Sequence, residues 1–154
     1  PKLLVATQTR VIEVVVDPAG TMVPATPLVI IEPDEADLWL LAAALSAPPV
    51  TALAAVTTLG TAWSAGRIKL AARQVAGLPL PVDSGAWNEG AAAARDLWTA
   101  GKDASPESWR AFGGLMCRAY KEDLDPLVDW WWERHPAARR HGAGTGRGGR
   151  ATNP

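Results

Sequence analysis

Proline placement limits what this chain can fold into before any other feature is considered. Pro24, Pro27 and Pro33 fall among short apolar runs near the N-terminus. A proline cannot donate to a β-ladder, so strands there are confined to sheet edges or short pieces. Pro48-Pro49 ends one helical pattern, and Pro49 suits the first turn of the next. Pro79 and Pro81 force Leu78-Pro79-Leu80-Pro81 to be extended, because each pushes its predecessor out of the helical region. The chain is therefore built from short elements.

Between these breaks the N-terminal third reads as β. Leu3-Leu4-Val5-Ala6 is a short strand, and Val11 to Val16 is rich in β-branched residues. Asp17-Pro18-Ala19-Gly20 forms a turn with proline at its second position. A return strand is expected near Met22-Val23, with Leu28 to Ile31 as a further apolar run. Nothing after Gly20 resembles a phosphate-binding loop, since neither a second glycine nor a helix follows. The turn therefore reads as a plain hairpin.

From Asp34 to Leu45 the apolar residues Leu38, Leu41, Ala42 and Leu45 mark a helix face, with Asp34 or Glu35 able to cap it. A second helix is expected over Val50 to Leu59, ended by Gly60. A short strand follows at Arg67 to Leu70, then one helical turn at Ala71 to Ala76 closed by Gly77. Residues 84–134 read as all helix. Ser84 is the expected cap of the first, which carries Trp87, Ala91, Ala94 and Leu97 on one face. Ser105-Pro106 opens the second, whose stripe is Trp109, Phe112, Leu115, Met116, Ala119 and Tyr120. The third runs from Asp125 to Glu133 and ends at Pro136.

These elements predict an α+β fold, a small N-terminal β-sheet with packed helices followed by a helical C-terminal extension. The expected units are 1–81, 82–137 and a Gly- and Arg-rich tail, 138–154, read as disordered. No apolar run reaches the roughly 18 residues of a membrane span, so a soluble, cytoplasmic chain with no membrane partner is expected. The start at Pro1, already inside a strand-like pattern, reads as a piece of a longer chain.

The formal charge of −1 conceals an asymmetry. Residues 1–81 hold five basic and six acidic side chains, 82–137 six and ten, and the tail four arginines with no acid. A globally basic surface for gripping nucleic acid is therefore excluded, and any such contact must be local.

No catalytic constellation stands out. Cys117, the only cysteine, reads as a small buried hydrophobe and excludes an internal disulfide. His135 and His141 lie beside Pro136 and in the tail, without ligand spacing. Trp130-Trp131-Trp132 cannot all face one core, because successive helical positions point about 100° apart. One or two should pack on the preceding helix, and at least one should lie at a surface or interface.

Two polar clusters remain. Thr7-Gln8-Thr9-Arg10 links two strands, and Gln and Arg are the residue types that pair with adenine and guanine edges. Arg67 and Lys69, with Arg73 and Gln74 beyond, form the basic concentration of the first 137 residues and suit phosphate contact.

The order of features resembles a known family. Pro1 to Val5 with Thr9-Arg10 is followed by the helix Leu38-Trp39-Leu40-Leu41-Ala42-Ala43-Ala44-Leu45-Ser46-Ala47-Pro48-Pro49, then Ile68-Lys69-Leu70 and Leu78-Pro79-Leu80-Pro81. This is similar to the C-terminal target-recognition region of adenine-specific (N-6) DNA methyltransferases of actinobacterial type, and to type I restriction specificity domains. In those regions the helix carries an asparagine before its last serine, where this chain has Leu45, and the Leu-Pro repeat forms a strand. The likeness covers residues 1–81, with 84–134 resembling the family's C-terminal extension.

With the two polar clusters, the resemblance implies a domain that binds double-stranded DNA, Arg10, Arg67, Lys69 and Arg73 contacting phosphates and Gln8 or Thr9 a base edge. It implies a methyltransferase catalytic domain, in cis or in trans, that uses S-adenosylmethionine. This chain holds neither that cofactor's glycine-rich loop nor the Asn-Pro-Pro-aromatic motif, Ala47-Pro48-Pro49-Val50 lacking both amide and ring. No cofactor is therefore expected here, and no methyl transfer by this chain alone. The rival expectation is a protein-interaction module that docks on a methyltransferase core through its helices and Trp130 to Trp132, without touching DNA.

Overall fold

The three strands of the main sheet hold no proline, and the prolines near them fall just outside the paired residues. In a computed structural model describing residues 1–58, 67–122 and 125–144, β1 (Lys2–Ala6) lies between β3 (Val14–Asp17) and β4 (Leu28–Ile31). Both flanking strands run antiparallel to β1, with Leu4 opposite Val15 on one side and Ile30 on the other. Because side chains alternate, this register divides the sheet into two faces. Leu3, Val5 and Val16 are buried in the core, joined by Val14, Val29 and Ile31. Val15 and Ile30 stand on the other face, 48% and 47% exposed. A second ribbon pairs β2 (Gln8–Thr9) with β5 (Ile68–Lys69).

The Asp17–Gly20 turn forms, its Gly20 N–H donating to the Asp17 carbonyl at 3.2 Å. It does not make a hairpin. No strand forms at Met22-Val23, and Val23 is 89% exposed. The Asp17 carboxylate instead accepts the Met22 N–H at 2.7 Å and lies 3.7 Å from the Lys2 ammonium. These bonds turn the chain away from β3, and it reaches the far side of β1 before pairing again. Val11 and Ile12 are likewise outside any strand, although both are buried. Two successive inward side chains break a strand's alternation, and the Ile12 N–H is taken by the Thr51 hydroxyl instead.

The helical layer begins with a single 3-10 turn at Glu35–Asp37 and α1 (Leu38–Ser46), continuing into α2 (Pro48–Thr57) at a bend of 57°. Neither Asp34 nor Asp37 caps with its side chain. After β5 come α3 (Ala72–Ala76), α4 (Ser84–Ala100), α5 (Pro106–Tyr120), α6 (Asp125–Arg134) and α7 (Pro136–Gly144). The Leu78–Pro81 segment forms no strand. Asp83, not Ser84, caps α4, its carboxylate accepting the Ala86 N–H at 3.0 Å. Ser105 caps α5 as expected, accepting from Ser108. The stop expected at Pro136 is instead the start of α7, so part of the tail is helical. Proline suits a first helical turn, where its missing N–H leaves nothing unmade.

α4 lies against both α1 and α5, and α6 against α2 and α5. The approach of α4 to α5 needs Gly90, because a Cβ there would collide with the Met116 sulfur. Long polar side chains tie these helices to the N-terminal half. The Trp87 indole donates to the Leu40 carbonyl at 2.8 Å and Trp98 to that of Val16 at 3.1 Å. The Tyr120 hydroxyl reaches the Pro79 and Ala44 carbonyls at 2.9 and 3.3 Å. Among the described residues no single helix is long and apolar enough to cross a membrane.

Of the three consecutive tryptophans, Trp131 is fully buried against Phe112 and Trp109, and Trp132 is nearly so. Trp130 is half-buried, with the Arg134 guanidinium 4.5 Å over its ring. Truncating Trp131→Ala empties the largest fully buried side-chain site among the described residues. It should cost about 3–5 kcal/mol in chemical denaturation, whereas Trp130→Ala should cost well under half of that.

Candidate functional site

The two polar clusters seen in the sequence, some sixty residues apart, meet on the β2–β5 ribbon. Gln8 lies directly opposite Lys69, and Thr9 opposite Ile68. Opposed residues of an antiparallel pair share a face. Ile68 is buried, so Thr9 shares the inward face; it is half-buried and its hydroxyl donates to the Val11 carbonyl. Gln8 and Lys69 share the exposed face. The ribbon is extended by the bond from Leu70 N–H to the Thr7 carbonyl at 2.9 Å.

Arg10 and Arg67 flank the paired residues, and Arg73 follows on α3, all three exposed. None of Arg10, Arg67, Lys69 and Arg73 forms an ion pair among the described residues. Two neighbours are already engaged. Thr7 donates to the Pro27 carbonyl, and the Gln74 amide oxygen accepts the Ala71 N–H at the start of α3.

A cavity of about 440 Å³ opens along β3, on the edge away from β1. α1, α4, α5 and the α6–α7 junction complete its walls. Trp39 and Trp98, edge-to-face at 5.7 Å, contribute one group of rings. Trp109, Phe112 and His135 contribute another, with the Trp109 and His135 rings 4.3 Å apart. Burial raises the Glu13 pKa, opposed by the positive charges of Arg139 and Arg140.

His135 was not legible as a held residue, because Pro136 read as the end of structure. It sits among Trp109, Trp131 and Trp132, and its Nδ1 accepts the Ala137 N–H at 3.3 Å. Burial, aided by Arg140, lowers its pKa to about 4. The ring is therefore neutral at pH 7. The sequence signal that could have found it is the Pro136-Ala137-Ala138 helix start just beyond. His141 is also held, its Nε2 lying 3.1 Å from the Ala104 carbonyl.

Cys117 is buried and its pKa is raised to about 12, first by burial and then by Glu122, so the thiol is inert. No group of three or more metal-ligating side chains gathers among the described residues. No known protein family, curated protein or solved structure matches the chain.

The lowered His135 pKa sets a pH dependence. Between pH about 6.5 and 4 the unfolded chain takes up a proton that the folded chain refuses, so stability falls as pH falls through that window. The loss should approach about 3 kcal/mol at its acid end. In urea titrations at stepped pH, His135→Gln should flatten this part of the profile relative to the parent chain.

Proposed function

We propose that this chain is the DNA-reading, non-catalytic part of a site-specific adenine-N6 DNA methyltransferase of a restriction–modification or phage-defence system, working in the cytoplasm. It holds duplex DNA while a separate catalytic domain, in cis or in trans, transfers a methyl group from S-adenosylmethionine. The observation that carries this reading is the β2–β5 ribbon. It sets Gln8 beside Lys69 on an exposed face flanked by cations that no described carboxylate neutralises.

The chemistry is simple. A two-stranded ribbon fits the major groove, and a Gln amide can pair with the N6 and N7 of adenine. Arg10, Arg67, Lys69 and Arg73 hold phosphates, which sets register without carrying sequence. With Thr9 turned inward and bonded to Val11, base reading falls to Gln8. The body of the chain is acidic, which confines DNA to this face by repulsion elsewhere.

The second reading, docking on a methyltransferase core, is favoured by the exposed Val15 and Ile30 on the outer sheet face. That reading leaves DNA untouched, so the two are separated by whether duplex DNA binds at all.

Fluorescence anisotropy with duplex DNA across a salt series tests the first reading. The Arg67→Ala, Lys69→Ala double variant should weaken binding uniformly across sequences and reduce the log-affinity salt slope by about 2. Gln8→Ala should leave the slope intact and flatten sequence preference. Unchanged affinity and slope in the double variant would remove the ribbon as the DNA surface.

A further inference from the structure

The cavity along β3 has a wall of bare backbone. The phase of the β1–β3 ladder follows from the Ala6 N–H donating to the Glu13 carbonyl at 3.1 Å. Glu13, Val15 and Asp17 thus turn their backbone groups toward β1, and Val14 and Val16 turn theirs outward. The Val16 carbonyl is taken by the Trp98 indole. The Val14 N–H and C=O have no hydrogen-bond partner among the described residues. They lie on the same side of the strand, a donor beside an acceptor, and Val14 lines the cavity.

Two further features share that cavity. Its rings come from two separate clusters, Trp39 with Trp98 and Trp109 with Phe112, which suits a flat aromatic ligand. Lys102 and Arg140 line the cavity yet are exposed, which places two cations at its rim. Its volume of about 440 Å³ lies within the ~300–1,000 Å³ of small-molecule sites.

We propose that this cavity binds a nucleotide. The base lies among the aromatic walls with its amide-type edge on the Val14 N–H and C=O. The phosphate reaches Lys102 and Arg140 at the rim. A purely apolar ligand leaves the Val14 pair unmet. An extended peptide added to β3 finds the Val16 carbonyl already occupied by Trp98. The site is independent of the β2–β5 ribbon, so its failure and the failure of DNA reading are separable.

The test uses the intact chain titrated with AMP, GMP, CMP and UMP, followed by tryptophan fluorescence and amide-resolved NMR. Saturable binding of at least one nucleotide is expected, moving the Val14 amide and leaving those of Gln8 and Arg10 still. Arg140→Ala with Lys102→Ala should weaken the nucleotide about tenfold or more and leave the matching nucleoside unchanged. Val14→Pro removes an outward N–H on an edge strand, a tolerated place for proline, together with some core packing, and, in a variant shown to be folded by its amide spectrum, should weaken both. A short single-stranded oligonucleotide that binds where free nucleotides also bind identifies nucleic acid as a source of the same chemistry. No saturable shift at about 10 mM of any nucleotide, or shifts that leave Val14 unmoved, overturns the proposal. So does undiminished nucleotide affinity in the double rim variant.

Discussion

A neutral imidazole holds the C-terminal end of the fold in place. His135 accepts the Ala137 N–H and is surrounded by the rings of Trp109, Trp131 and Trp132. That one acceptor starts α7, and α7 carries Arg139 and Arg140 close enough to act on Glu13. The α6–α7 junction that walls the cavity along β3 is thus built around a neutral histidine. A protonated ring could not accept the Ala137 N–H, and its charge would be desolvated among indoles.

The helices were largely legible because their signals are local. Ser105-Pro106 and the stripe from Trp109 to Tyr120 name α5 almost completely, and Gly77 and Gly101 fall where α3 and α4 end. The errors are instructive. Asp83 and Ser84 are both good caps, and only backbone geometry decides between them. Pro136 is equally good as a stop and as a first residue, and what decides is the His135 bond beneath it.

The β part was less legible, because pairing is not local. Val11 to Val16 had the right residues for one strand, but Val11 and Ile12 are spent on the core and only Val14 onward joins the sheet. The expected hairpin failed because the Asp17 side chain captures the Met22 N–H, redirecting the chain past β1 to β4. Each polar cluster was visible alone. That Gln8 would stand opposite Lys69 was not, since no feature of either segment encodes the other.

The aromatic and phenolic donors that reach across the fold have a consequence for how it forms. Trp98 bonds Val16 across 82 positions of sequence, Tyr120 bonds Ala44 across 76 and Trp87 bonds Leu40 across 47. Contacts so distant raise contact order and slow folding. At ribosomal speeds of about 5–20 residues per second, β3 waits on the order of 4–16 s before Trp98 has been made. For that interval its edge is an open template for other strands. The chain's most vulnerable state is thus a nascent one, and α4 and α5 act as the closing half of a fold begun much earlier.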